Sequence, residues 1–287
     1  MISSDFIPEF AILGHPNEGK SSVVATLAED DSVRIGPVPG ETVKCQTFSV
    51  KIDDKEIIKF TDTPGFQCPK QTLAWMKNYS GPDELMLSAF IESHRNDPEF
   101  RDECELFGPV AKGAGIIYVV DGSRPLRNDD RAEMEILRLT ARPRMAVINC
   151  KDEDSSFLLK WKNEFRKHFN SIRLFNAKIA TYTERMELLE SLKSMDQDWQ
   201  PALVKVIEAF KKDWLERTEI SAAITVEMLE EILGLSVEKN IRKNESFNKI
   251  KEELGHIYRK KIESIEKRAQ KKIKKLFKHN IFHYSGP

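Results

Sequence analysis

Eight consecutive residues, Gly14-His15-Pro16-Asn17-Glu18-Gly19-Lys20-Ser21, carry the most specific chemistry in this sequence. Two glycines followed at once by Lys and Ser give the G-x-x-x-x-G-K-[ST] spacing of a loop that wraps phosphate. The glycines let backbone N–H groups turn inward around a β-phosphate, and the start of a helix adds its partial positive charge. Lys20 is suited to neutralise β- and γ-phosphates, and Ser21 to offer its hydroxyl oxygen to Mg²⁺. Asn17, Glu18, Gly19 and Ser22 complete the cradle. A Gly-rich surface turn is the bland reading. It is rejected because the motif lies between an apolar run, 10–13, and a helical stretch, 22–28.

Three further clusters could act on the same ligand. Asp62-Thr63-Pro64-Gly65 closes another apolar run. There Asp62 could hold Mg²⁺ through a water, and the Gly65 N–H could sense a γ-phosphate and reorganise the following segment on hydrolysis. Read alone, this tetrapeptide is an ordinary turn, since all four residue types form turns; its place after a strand points instead to the metal. Thr42, in Pro39-Gly40-Glu41-Thr42, is the choice for a switch threonine that coordinates Mg²⁺ beside a triphosphate. A plain loop threonine, with Thr47 or no residue in the role, is the competing reading. On the base side, Asn149-Cys150-Lys151-Asp152 and Asn176-Ala177-Lys178 each follow a strand. The Asp152 carboxylate can accept from the N1–H and the exocyclic amine of guanine, a donor pair that adenine lacks. Asn149 would tie this loop to the phosphate loop, and the Ala177 N–H would meet the guanine O6.

The elements that must position these groups are short apolar runs at 10–13, 47–52, 57–61, 115–120, 145–149 and 172–175, alternating with helical stretches. That alternation predicts an α/β fold with a mostly parallel sheet and helices on both faces. In such sheets ligands bind beyond the carboxyl ends of the strands, where the clusters above fall. The four cysteines, Cys45, Cys68, Cys104 and Cys150, have no paired spacing, so neither a zinc site nor a disulfide framework is expected. No stretch approaches the roughly 18 apolar residues of a membrane span, and residues 1–10 carry no basic-then-apolar leader pattern. The expectation is a cytoplasmic or peripheral protein.

With five elements in order, residues 1 to about 190 resemble the bacterial GTPases of the Era and TrmE kind, in the translation-factor class. GHPNEGKS is similar to that family's GxPNxGKS, PGET to its PGTT switch element, and DTPG is shared. The resemblance implies a Ras-like G domain of the P-loop NTPase fold that binds GTP and GDP with Mg²⁺. The family's NKxD motif becomes Asn149-Cys150-Lys151-Asp152, with Cys150 where a Lys stacks on guanine, and its SAK becomes Asn176-Ala177-Lys178. Lys151 and Lys178 stand ready to supply part of that stacking. In this class the residue after DxxG is hydrophobic where other GTPases carry a catalytic Gln, and here it is Phe66. Slow intrinsic hydrolysis is implied, dependent on a group added by a partner, a self-dimer or a K⁺ ion held by Asn17. Gln67 could substitute only if the loop shifted register. The resemblance extends to an uncharacterised bacterial group in which such a domain precedes a helical domain of unknown function.

The predicted organisation is a GTPase domain over 1–195, with a long switch II insertion at 67–113, and a helical extension over 196–287. The insertion holds Trp75, Met76, Phe90, Phe100 and Phe107; it is either a nucleotide-responsive surface for a protein effector or a helical insertion packed on its own sheet. From Arg217 onward sixteen Lys and Arg face ten Glu, although the whole chain carries a net charge of only −1. Apolar residues from Ile250 to Leu276 recur at steps of three and four, the face of one long helix. Its basic part, 259–278, suits an acidic partner, RNA or an anionic membrane surface, or else is a solvated face. The ending, Gly286-Pro287, reads as that of a longer protein cut short. Three functions are weighed: a Mg²⁺-dependent GTP hydrolase acting as a switch, a GTP- or GDP-sensing module with negligible turnover, and a P-loop protein with relaxed base choice that takes ATP.

Overall fold

The computed structural model describes residues 7–28, 44–52, 55–150, 156–176, 182–240 and 246–277. Six strands form one sheet: β1 (Glu9–Leu13), β2 (Gln46–Ile52), β3 (Lys55–Asp62), β4 (Gly115–Asp121), β5 (Arg144–Asn149) and β6 (Ser171–Phe175), in the order β2-β3-β1-β4-β5-β6. Only the β2–β3 pair is antiparallel. The inner strands read FAIL, GIIYVV and MAVI, unbroken apolar runs suited to burial on both faces. β2, at the edge, mixes polar and apolar residues and is largely exposed.

The register brings the strand ends level. Ile12 pairs with Asp62, Leu13 with Tyr118, Asp121 with Asn149 and Asn149 with Phe175. One rim of the sheet therefore carries the phosphate loop, Asp62 and Asn149. Around the sheet lie α1 (Lys20–Ala28), α2 (Pro69–Asn78), α3 (Met86–His94), α4 (Arg101–Ala111), α5 (Asn128–Leu139), α6 (Leu158–Phe165) and α7 (Tyr182–Lys193). Phe60, Phe90, Phe107, Tyr118, Trp161 and Phe165 are fully buried, each such side chain contributing about 1.5–3 kcal/mol of hydrophobic stabilisation.

The long insertion resolves into α2, α3 and α4. Its aromatic residues turn inward: Phe90 packs edge-on against Trp75, Phe100 and Phe107, with centroids 5.2, 5.6 and 5.4 Å apart. Phe90 and Phe107 are buried and Trp75 and Phe100 are half-buried, so these rings form an interior rather than an exposed aromatic patch.

The chain divides into two compact units, Met1–Ala209 and Phe210–Pro287. Residue 196, the expected start of the helical extension, falls inside the first unit. A 3₁₀ turn, Gln197–Trp199, leads directly into α8 (Gln200–Leu233), whose Pro201 occupies a first-turn position that needs no N–H donor. Trp199 packs on Phe10 with centroids 4.8 Å apart, and a Cβ on Gly115 would lie 2.2 Å from its ring. Leu203, Val206 and Ile207 of α8 are also buried, so the first turns of this helix belong to the first unit.

In the second unit α8 runs antiparallel to α9 (Phe247–Leu276), shown by the pairs Arg268–Glu231 and Lys272–Glu227 and by the Arg217 Nη1–H donating to the Leu276 carbonyl at 3.1 Å. The apolar stripe on α9 finds its partner there: Ile265 and Ala269 are buried beside Ile224 and Met228. No helix among the described residues is long and apolar enough to cross a membrane.

Candidate nucleotide-binding site

The phosphate loop has the backbone its sequence demands. Gly14 (φ 145°) and Gly19 (φ 94°) take conformations that side chains rarely adopt, and Asn17 (φ 64°) is left-handed as well. A Cβ on Gly14 would lie 2.2 Å from the Val119 carbonyl oxygen of β4. Lys20 begins α1, and its ammonium donates to the Gly14 and His15 carbonyls at 3.1 and 3.0 Å. The amine is thus folded over the loop whose N–H groups it would help against a phosphate. Ser22 follows on α1, exposed, with its carbonyl accepting from the Thr26 hydroxyl at 2.8 Å.

Asp62 arrives from the end of β3. The Ser21 hydroxyl donates to Asp62 Oδ2 at 2.5 Å, so the hydroxyl and the carboxylate expected at the metal meet at one point. No group of three or more His, Cys, Asp and Glu among the described residues could hold a metal unaided. A cation here needs Ser21, Asp62 and oxygens of a ligand, as Mg²⁺ bound with nucleotide does. The residues fit that group.

The turn after Asp62 lies on the phosphate loop. The Thr63 hydroxyl donates to the Ile12 carbonyl at 2.7 Å, and the Phe66 N–H to the Gly14 carbonyl at 3.4 Å. A Cβ on Gly65 would be 2.4 Å from the Pro16 nitrogen, so only glycine lets the two loops approach this closely. Phe66 is fully buried and meets Phe107 edge-on, centroids 6.1 Å apart. Gln67 is exposed.

On the base side, the Asn149 amide donates to the Glu18 carbonyl at 3.1 Å, the tie expected of it. Cys150 is half-buried, and burial pushes its thiol up. Thr42, Lys151, Asp152, Ala177 and Lys178 lie outside the described residues.

Several side-chain contacts escaped sequence reasoning. The Glu18 side chain turns into the protein, where its carboxylate accepts from the Asp121 N–H and from Arg124 Nε at 2.6 Å. Arg124 also grips Asp130 through both terminal nitrogens, at 2.8 and 2.7 Å, and stacks over Trp161 at 5.0 Å. Burial alone would lower its pKa, but the Asp130 and Glu18 carboxylates raise it overall. His15 Nδ1 lies 3.1 Å from Glu133 Oε1, while Tyr118 donates to the other oxygen at 2.8 Å. Glu103, on α4, accepts the N–H groups of Gln67 and Cys68 at 2.7 and 2.6 Å. No motif flags these side-chain contacts, because each reaches across the fold.

Comparison with known proteins agrees with this geometry. Residues 9–150 match the family described as 50S ribosome-binding GTPase, and residues 162–287 match a domain of unknown function, DUF3482. GTPase Era of Borreliella burgdorferi is 28% identical over 280 residues, covering 95% of this chain and 91% of that protein. GTPase Era of Clostridioides difficile is 26% identical over 213 residues, and the match spans 58% of its length. A solved Era structure, in complex with MgGDPNP and nucleotides 1506–1542 of 16S ribosomal RNA, aligns with TM-score 0.43 and 18% identity, over 66% of this chain and 56% of that one. Phosphate loop, Asp62 rim, Asn149 tie and family match agree: residues 9–150 are similar to the P-loop GTPases of the Era kind, and a second matched domain follows them in the chain.

Proposed function

We propose that the protein hydrolyses GTP to GDP and phosphate and works as a nucleotide-dependent switch. The hydrogen bond between Ser21 and Asp62, together with the Lys20 ammonium held on the loop carbonyls, carries this reading. Mg²⁺, when bound, neutralises charge on the β- and γ-phosphates and orients them. Lys20, released from the Gly14 and His15 carbonyls, meets the same phosphates, and loop N–H groups from Asn17 to Ser22 surround them. Thr42 adds a second hydroxyl to the metal site. Gly65, held within contact of Pro16, is the group that feels whether a γ-phosphate is present. Asn149 orders the base loop, in which Asp152 selects guanine with the Ala177 N–H and Lys178 beside it.

Hydrolysis is slow without help in this reading. Phe66 has its ring in the core and offers no polar atom to a water, so a further group must orient the nucleophile. K⁺ at Asn17 or a partner protein would supply it. The same observation favours a second reading, a GTP- or GDP-sensing module with negligible turnover. As partner of 259–278 we favour RNA over a membrane: Ile265 and Ala269 of the α9 stripe are buried beside α8, while Lys260, Lys267, Lys271 and Lys274 are exposed and free to meet phosphates.

Steady-state phosphate release from GTP with Mg²⁺, in K⁺ and in Na⁺ buffer, tests the proposal, with Lys20→Ala as control. Turnover that is faster in K⁺ and abolished by Lys20→Ala supports a cation-assisted hydrolase. Tight GDP binding with no release in either buffer selects the sensor.

A further inference from the structure

The N-terminus of α2 is capped from far away in the chain. Its N-cap residue, Cys68, offers no side-chain cap, and the residues of the first turn bring no acidic group. Instead Glu103, 35 residues downstream on α4 and fully buried, accepts the Cys68 and Gln67 N–H groups on one oxygen, while its other oxygen is buried without a hydrogen-bond partner. A carboxylate taking two backbone N–H donors from a buried position makes strong, direction-specific bonds. One residue earlier, the Phe66 ring is locked against Phe107, which leads to Phe90 and on to Trp75 and Phe100. Gly65 is therefore followed by three consecutive residues, each fixed to the α2–α4 lobe by ring or by backbone.

The same helix reaches the other switch segment. The Cys45 thiol, three residues past Thr42, donates to the Glu105 carbonyl of α4 at 3.2 Å. Both chain segments that flank the proposed γ-phosphate sensors thus end on a single helix turn, 103–105.

We propose that Glu103 is the positioning residue of this switch: by holding the N–H groups of Gln67 and Cys68 it removes the slack after Gly65. Displacement of Gly65 by a γ-phosphate is then passed to α3 and α4 as a body. Packed cores rearrange between discrete arrangements rather than deforming smoothly, so a sub-ångström shift at Gly65 has a lever. It also keeps Gln67 from taking the place of a catalytic glutamine, because its backbone cannot change register while Glu103 holds it. The inference rests on the reading that 62–66 responds to GTP.

Hydrogen exchange on the full chain, with GDP and with a non-hydrolysable GTP analogue, tests it in the wild type, Glu103→Ala and Glu103→Gln. In the wild type the two nucleotides should give different exchange across residues 86–111 as well as 65–68. In Glu103→Ala, exchange at 67–68 should rise about tenfold or more and the nucleotide-dependent difference at 86–111 should vanish. Turnover should fall about tenfold with KM nearly unchanged, as expected when positioning rather than ligand contact is lost. Glu103→Gln keeps an acceptor oxygen and should restore part of both signals. A Glu103→Ala protein that retains the wild-type difference at 86–111 overturns the coupling. A wild type that binds no GTP sinks the underlying reading and the coupling with it, whereas raised exchange at 67–68 in Glu103→Ala without GTP would still identify the cap. Should Glu103→Ala fail to fold, Glu103→Gln with wild-type stability and an undiminished, fully wild-type turnover and exchange pattern would count against the charge of the carboxylate as the holding group.

Discussion

His15 stands second in the phosphate loop, where no phosphate contact is asked of its side chain. Its hydrogen bond to Glu133 raises its pKa above 6.5, with burial opposing. Burial likewise pushes the Glu133 carboxyl up, so both directions favour a proton held between them. A histidine whose folded pKa is raised contributes stability that is complete below its unfolded value near 6.5 and is lost as the pH climbs through the folded value. The stability gap between wild type and His15→Gln should therefore be widest near pH 6 and shrink toward pH 8.5. Urea unfolding at the two pH values reads this directly; a gap that widens with pH would refute the assignment. At this scale the sequence is partly legible. Gly14, Lys20, Ser21 and Asp62 are recognisable because a phosphate loop is a local object with fixed spacing, but His15 and Glu133 are 118 residues apart and Glu18 and Arg124 are 106 apart. Nothing local marks either pair.

At the scale of elements, Phe66 is the informative position. From the resemblance it is the hydrophobic residue that stands where other GTPases carry a glutamine; in the fold it is the first ring of an aromatic interior shared by α2, α3 and α4. Placing the amide of those other GTPases here by Phe66→Gln should not speed hydrolysis. The amide would be buried where the ring now sits, costing about 2–4 kcal/mol in lost packing and an unsatisfied polar group. A thermal midpoint several degrees lower, with GTP turnover no higher than wild type, is expected; a gain in turnover would mean that residue 66 can reach the nucleotide. The rings of the insertion were legible as a list, yet their side was not, since α2–α4 helices of ten residues or so can turn either face inward until the sheet is in place.

At the scale of the molecule, the division at Ala209 predicts where the chain can be cut. Ending it after Lys193 removes Trp199 from its seat on Phe10 and Gly115, and Leu203, Val206 and Ile207 with it. That should cost at least about 3–5 kcal/mol, the usual loss for emptying one aromatic site. Ending it after Lys212 keeps these residues and should leave GTP affinity and the urea midpoint of the first unit close to those of the full chain. Equal stability of the two shortened forms would show that the first turns of α8 are dispensable. The sequence by itself determined the α/β class, the phosphate loop, the Asp62 turn and the Asn149 strand end, because local spacing and apolar periodicity encode them. Only the tertiary structure decided that the Ser21 hydroxyl bonds directly to Asp62, that Phe66 points into the core, that Glu103 caps α2, and that residues 196–209 pack with the first unit rather than with the helical extension. Each of these depends on which distant residues the sheet register brings together, and that information resides in contacts rather than in any stretch of sequence.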